Sequence, residues 1–416
     1  MKDHNKRWIE ADRTHAWHPF TDQEQWEAED PLVIVRGKGS WLFDAKDECY
    51  LDANSSIWTN IHGHGHPRIV KAIQEQAATL CHSSYLGFTN DKASELAERL
   101  CGFFPEGKLP RCFFSDDGST ALEVALKMSL QWSQQNGREE RTGIIAFDHA
   151  YHGDTLGAAS VGGVSRFVKG YAESGLSVYR VEGIDDLKAL PEVVVKSASA
   201  VVIEPLIQGV NQMRPWPKGM LKELRRWCEV NEVHLILDEV MTGFGRTGMM
   251  FACQQEEVVP DFLCLAKGLT GGTMPLAATL TTGEIYEGFK GGPERTFYYG
   301  HSYTGNPLGC AAALASLDVF DESQVLAGVE EKGAYLEAGL QKLAGQFRQI
   351  TEIRRVGLVL GMDLSEDGKE FCLALREHHV LTRPILNTIV LMPPLSVTRE
   401  ELDHLVEAIG KTLRDQ

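Results

Sequence analysis

Short, uniformly apolar runs alternate with helical patterns through the middle of the chain. Residues 143–148 (GIIAFD), 200–205 (AVVIEP), 233–239 (VHLILDE), 262–267 (FLCLAK) and 276–282 (LAATLTT) read as strands. Most of them lack the polar alternation of a half-exposed strand, so both of their faces must be covered. Spacers such as residues 219–232 carry apolar positions at helical intervals. Covered strands joined by helices predict an α/β fold with a mostly parallel central sheet.

Toward the C-terminus the pattern changes. Residues 325–347 predict a charged amphipathic helix, 357–364 and 388–392 predict strands, and 398–413 a further helix. Near the other end, GKGSWLFDAKDECYLDA alternates as a hairpin does. The expected organisation is an N-terminal segment, 1–60, that joins a smaller α+β unit at 316–416, with a large domain at 61–315 between them.

With 416 residues, 43% of them hydrophobic, the chain can bury a large core and has neither a disordered nor a fibrous composition. Its formal charge of −17 disfavours nucleic acid as a partner, because phosphate-binding surfaces concentrate Lys and Arg. Neither a signal-like apolar run at the start nor a stretch long enough to span a membrane is seen. Nine cysteines lie scattered without a CxxC pair, which is the usage of reduced, mostly buried thiols in a cytoplasmic protein.

The most informative feature is a carboxylate closing one buried strand and an amine closing another. Asp238 ends LILD and Lys267 ends LCLAK, 267 − 238 = 29 residues later, which leaves room for a crossover that returns to the same sheet edge. In parallel α/β sheets that carboxyl edge is where ligands bind. A buried aspartate needs a cationic partner, such as a protonated pyridine nitrogen. A desolvated lysine loses part of its basicity and becomes a usable nucleophile. The pair therefore suits the two ends of a pyridoxal ring, with Lys267 forming the imine; a plain buried ion pair is the alternative.

Two further pieces point the same way. Gly118, Ser119 and Thr120 stand before a run with helical apolar spacing, where backbone N–H groups at a helix start can hold a dianionic phosphate. An ordinary helix cap would look the same. Tyr151, in HAYHGDT just after the first of the strands, is placed to stack on a flat ring, although packing is the commoner task of such a tyrosine.

Taken in order, HPF at 18–20, HGH, DDGSTALE, AYHGDT, VIEPLIQG, LDEVMTGFGRTG, LCLAKGLTGG, YTGNPLGCAAA and LMPP resemble the class III (fold type I) aminotransferases over nearly the whole chain. The resemblance implies a fold type I pyridoxal-phosphate transferase, with pyridoxal 5'-phosphate as cofactor and small-molecule substrates. It makes Lys267 the Schiff-base lysine, Asp238 the partner of the ring nitrogen, Gly118 and Ser119 phosphate contacts, and Tyr151 a residue on the ring and near the substrate. GHSYTGN implies that Gly300 lines the substrate pocket and that His301 and Ser302 reach the phosphate of a neighbouring subunit, hence a homodimer with shared active sites. Arg383, in LTRP, matches an arginine that grips a substrate carboxylate through its bidentate fork.

WHPF, FACQQ, LAKGLTGGTMPLAATLTT and RPILNTIVLMPP narrow the resemblance to one branch of the family. The better-known form of that branch has a tyrosine where Phe20 stands and paired tryptophans where Ile57 and Trp58 stand. These three positions belong to the implied substrate wall, and the departure leaves adenosylmethionine and lysine both open as amino donor. Met241 stands where most relatives carry an amide. Transamination of another ω-amino acid or diamine, an aminomutase, and a relative that binds without turnover remain alternatives.

Two motifs suggest other chemistry. GFGRTG, 243–248, fits the glycine pattern of dinucleotide loops, but the strand–turn–long helix context is missing and no nucleotide is expected. His62, His64 and His66 alternate in HGHGHP, yet interleaved glycines and a following proline favour a turn entering a helix over a metal site.

Overall fold

The computed structural model describes residues 2–170 and 175–415. Its centre is a seven-stranded sheet in the order Arg111–Ser115, Ala277–Thr281, Phe262–Leu265, His234–Asp238, Ala198–Ile203, Gly143–Phe147, Val178–Val181. Ala277–Thr281 is antiparallel to both of its neighbours, and the other strands share one direction. The fold is therefore α/β, with the run 276–282 reversed relative to the rest of the sheet.

The uniform apolarity of the strands follows from burial on both faces. Ile145, Phe147, Val201, Ile203, Leu235, Leu237, Leu263 and Leu265 feed one core. Their alternating neighbours Ile144, Ala146, Ala200, Val202, Ile236, Phe262 and Cys264 feed a second. Helix Gly118–Gln135 packs into the second core through Ala121, Leu122, Val124, Ala125 and Met128. Burying one such side chain contributes about 1.5–3 kcal/mol, and the alternation lets each strand do this on two sides.

The C-terminal part forms a four-stranded sheet in the order Ile350–Val356, Val359–Leu364, Thr388–Leu391, Pro384–Ile385, packed with helices Val329–Ala344 and Arg399–Asp415. The amphipathic stretch 325–347 is not one helix. A 3-10 turn, Val325–Gly328, precedes the helix that starts at Val329. The N-terminal hairpin is a three-strand meander, Ile34–Lys38, Trp41–Asp44 and Cys49–Asp52, to which Val380–Leu381 adds in parallel. Among the described residues no helix is long and apolar enough to cross a membrane.

Gly357 sits where two of these parts touch. Its φ is +58°, and a Cβ there would come 2.5 Å from the carbonyl oxygen of Arg246 and 2.5 Å from the carbonyl carbon of Thr247. Gly357→Ala is expected to cost about 2–3 kcal/mol, read as a lower urea midpoint with unchanged slope. A wild-type midpoint would show that this contact yields freely.

Candidate active site

The carboxyl edge of the large sheet opens on a cavity of about 410 Å³, within the size range of small-molecule sites. Adjacent strands bring Asp238 opposite Cys264, and two residues beyond the end of that second strand comes Lys267. Lys267 is not part of the strand, as the run 262–267 implied. It opens a 3-10 turn, Lys267–Thr270, with a left-handed φ of +44°, the kind of local strain that collects at functional sites. Gly118, Ser119, Tyr151, Asp238 and Lys267 all line the same cavity, as does Trp58.

Burial pulls the Lys267 amine below the ordinary lysine range. The carboxylates of Asp238 and Glu204 oppose this, and the charge of Arg246 reinforces it. The Nζ lies 4.8 Å from the centre of the Trp58 ring, close enough for the ring face to attract the protonated amine. Asp238 is held in place by two hydrogen bonds. His152 Nδ1 donates to Oδ2 at 2.7 Å and the Val240 N–H donates to Oδ1 at 3.1 Å.

Three residues here escaped the sequence reading. His152 has a side chain with no exposure and follows Tyr151 directly in the motif from which only the tyrosine was singled out. Glu204 directly follows the apolar strand Ala198–Ile203, a signal close to the one that drew attention to Asp238. Its carboxylate accepts the N–H groups of Gly209 at 3.0 Å and Tyr151 at 3.3 Å, and burial pushes its pKa up to about 7. Arg246 is fully buried beneath the site.

The residues present fit a phosphorylated ring aldehyde. Ser119 lies in the first turn of helix Gly118–Gln135, whose N-cap is Asp117. Its Oγ accepts the Asp154 N–H at 3.0 Å. The cradle is narrow: a Cβ on Gly153 would fall 2.2 Å from Ser119 Oγ, and one on Gly118 would fall 2.7 Å from Val240 Cγ1. His152 Nε2 is buried and makes no hydrogen bond within the chain, which leaves a donor or acceptor at the back of the carboxylate. Tyr151 donates its hydroxyl to Asp154 at 2.6 Å, and its ring meets Phe167 edge-on with centres 5.7 Å apart.

The remaining predicted residues fall outside this cavity. Phe20, Ile57 and Arg383 line a neighbouring cavity of about 420 Å³ together with Asn54, Ser56 and Thr382. The wall between the two is the segment Asn54–Thr59, which gives Asn54, Ser56 and Ile57 to one side and Trp58 and Thr59 to the other. Ser55, Ser56, Ile57 and Trp58 all have φ between +47° and +67°, a full left-handed turn. Each such residue costs about 1–2 kcal/mol, so the turn persists only because its surroundings hold it. Asp52 accepts the Ser56 N–H and hydroxyl, Asn54 accepts the Trp58 indole N–H at 2.9 Å, and Ser55 donates to the Met392 carbonyl at 2.6 Å. Gly300 and Ser302 are exposed, and His301 Nδ1 lies 3.4 Å from Asp116 of its own chain.

The three histidines of HGHGHP go separate ways. His62 pairs with Ser316 at 3.0 Å, His64 with Asp52 at 2.9 Å, and His66 precedes helix Pro67–Thr79 as its N-cap. GFGRTG forms consecutive turns after the Asp238 strand and leads into a 3-10 helix at Ala252–Glu256 rather than a long helix.

A mostly parallel sheet with one reversed strand, a lysine just past a strand end and a carboxylate on the next strand define a fold type I transferase. The aminotransferase class-III family matches residues 23–413, and the chain belongs to that family. It is 41% identical over 437 residues to an adenosylmethionine-8-amino-7-oxononanoate aminotransferase of Geobacter sulfurreducens, covering 97% of this chain and 96% of that one. The crystal structure of a protein of the same name from Methanocaldococcus jannaschii is 37% identical and superposes with a TM-score of 0.95 over 99% of each chain. An amine transaminase from an uncultivated Pseudomonas species, solved in its PLP-bound form, is 31% identical, with a TM-score of 0.90 over 96% of this chain and 98% of that one.

Asp238→Asn keeps the side-chain shape but removes the negative charge that the cavity presents. The substitution is expected to leave the melting temperature within a few degrees of wild type while lowering transamination turnover on the order of 10²–10³-fold. Wild-type turnover would remove Asp238 from the chemistry.

Proposed function

We propose that the chain is a pyridoxal-phosphate-dependent aminotransferase that aminates 8-amino-7-oxononanoate to 7,8-diaminononanoate in biotin biosynthesis, with adenosylmethionine or lysine as donor. The observation that carries this reading is the convergence of a desolvated lysine, a histidine-braced carboxylate and a serine-bearing helix start on one cavity. The full-length similarity to proteins of that name supplies the substrate.

Bound pyridoxal phosphate supplies an electron sink for the carbon that gains or loses the amino group. Asp238 would hold its ring nitrogen protonated, with His152 fixing the carboxylate. Ser119 and the N–H groups at Gly118 would hold the phosphate, and Tyr151 would lie along the ring. Lys267 would tether the cofactor and, once displaced by the donor, its Nζ would carry the proton from the donor carbon to the cofactor's C4′ carbon. In the second half it gives a proton to the acceptor carbon. One lysine serving both substrates predicts that they bind in turn, at the same place.

Arg383 would anchor the acceptor carboxylate. Among the described residues its guanidinium makes no ion pair or side-chain hydrogen bond, and it lines the outer cavity with Phe20 and Ile57. A long acid held there would pass the Ile57–Trp58 wall to place its keto carbon beside Lys267. Gly300 would border that path.

The reading includes a homodimer in which His301 and Ser302 complete the neighbour's phosphate site. In support, the chain exposes 19482 Å², against about 16,000 Å² for a compact monomer of 46.1 kDa. The excess, about 3,500 Å² per chain and so about 7,000 Å² for a pair, is at the large end of what obligate interfaces cover. Leu86, Phe88 and Tyr298 are among the exposed apolar side chains. Residues 1–60 and 316–416 would act as one smaller unit against 61–315, a division supported by the strand pairing of Val380–Leu381 with Cys49–Asp52. The nine free cysteines suit a cytoplasmic setting.

The donor half-reaction tests the function. With the cofactor-loaded protein mixed separately with adenosylmethionine and with lysine, one of the two is expected to convert the visible band of the bound cofactor to that of its amino form. Conversion by neither, with conversion by an ω-amino acid or a diamine, would contradict the biotin assignment.

A further inference from the structure

GFGRTG is left without a task by a function that needs no nucleotide, yet it carries Arg246, a guanidinium with no exposure at all. The glycines explain how it gets there. A Cβ on Gly243 would come 2.8 Å from the Glu239 carbonyl oxygen, and one on Gly245, whose φ is +86°, would come 2.7 Å from Leu326 and 2.8 Å from Leu395. Only a chain without side chains at these points packs tightly enough to turn the arginine inward. Once inside, Arg246 meets two carbonyls rather than a carboxylate. Nη1 donates to Pro393 O at 2.6 Å and Nη2 donates to Asn60 O at 2.8 Å.

Those two carbonyls belong to the segment that follows the strained turn and to the segment that supports it. Asn60 comes two residues after Trp58, the last left-handed residue, and residues 392–395 run alongside. The Met392 N–H donates to Ala53 O at 2.8 Å and the Leu395 N–H donates to Ile61 O at 2.9 Å. Arg246 closes the seam between these bonds. The lysine turn packs on the same place, since a Cβ on Gly268 would come 2.9 Å from Ile61 and one on Gly272 would come 2.6 Å from Thr59.

We propose that Arg246 is a positioning residue for Lys267: by bridging the Asn60 and Pro393 carbonyls it fixes the left-handed turn that lays Trp58 across the amine. A salt bridge would tie the arginine to a movable side chain, whereas two backbone carbonyls make it a brace between chain segments. Its charge acts in the same sense. Asp238, Glu204 and Arg246 are the charged groups that act on the amine, with His152 behind Asp238. The two carboxylates favour the protonated amine, and Arg246 works against them. Burial draws Arg246 itself down to about 9, with Asp52 opposing.

The inference rests on the reading that Lys267 takes up the cofactor, and its test separates the two. The rate at which apo-protein takes up pyridoxal phosphate is measured against pH, together with the rate of cofactor release, for wild type, Arg246→Met and Arg246→Lys. Leu340→Ala, a core truncation in helix Val329–Ala344 at a side chain that lines neither cavity, controls for lost stability. Without the arginine charge the amine stays protonated to higher pH. The methionine variant is therefore expected to shift the midpoint of the uptake profile upward by about half a pH unit or more, and to release cofactor roughly tenfold faster. The lysine variant keeps the charge but cannot span both carbonyls. Its midpoint is expected to stay near wild type while its release quickens roughly tenfold.

Leu340→Ala is expected to melt lower without moving either quantity. If Arg246→Met does not accumulate folded, Arg246→Lys carries the test, and a folded lysine variant with wild-type release overturns the proposal. So does a methionine variant that behaves as Leu340→Ala does. Wild type that takes up no cofactor at Lys267 would overturn the site reading itself, and this inference with it.

Discussion

Burying an amine beside two carboxylates at one edge of a sheet is the constraint on which the site depends. Lys267 loses much of its solvent, which disfavours its charged form, while Asp238 and Glu204 favour it. The groups cannot all be ionised and unpaired at once without a large desolvation cost. Glu204 meets the constraint by accepting two backbone N–H groups and ionising only near 7. Asp238 meets it through His152 and the Val240 N–H. A cationic ring nitrogen and a bound phosphate would complete the balance, so the cavity is best matched to a ligand with charge of both signs.

The fold supplies this arrangement through strand order. Because His234–Asp238 and Phe262–Leu265 are parallel neighbours, their ends deliver a carboxylate and, two residues past the strand, an amine to the same rim. Strands packed on both faces cannot shift register without moving apolar side chains from one core to the other, which keeps the rim fixed. The element that separates the two cavities is the left-handed turn from Ser55 to Trp58. It is held from both the N-terminal and the C-terminal ends of the chain, through Asp52 and through Met392. The wall that would sort substrates thus depends on how the smaller elements seat against the large sheet.

Much of this was legible in the residues. Strands buried on both faces announce themselves as unbroken apolar runs, and a lone charged residue at the end of such a run, as in LILD or LCLAK, has few reasons to be there other than chemistry. Other features left no such trace. The reversal of Ala277–Thr281 is invisible because a buried strand has the same composition in either direction. His152 was overshadowed by Tyr151, since sequence alone does not say which of two neighbours turns toward a strand end. The left-handed turn escaped because Ser, Ile and Trp carry no glycine signal, its conformation being imposed by contacts with residues more than three hundred positions away. Arg246 was visible only as part of a glycine pattern whose familiar meaning is a phosphate loop.

The measurement that bears most directly on the account is the location of the cofactor on the chain. Wild-type protein loaded with pyridoxal phosphate is reduced with borohydride, digested and mapped by mass spectrometry. One reduced pyridoxyl group per chain, on the peptide that contains Lys267, is the predicted result. A group fixed to any other lysine, or none fixed at all, would contradict the assignment of that cavity and the chemistry built on it.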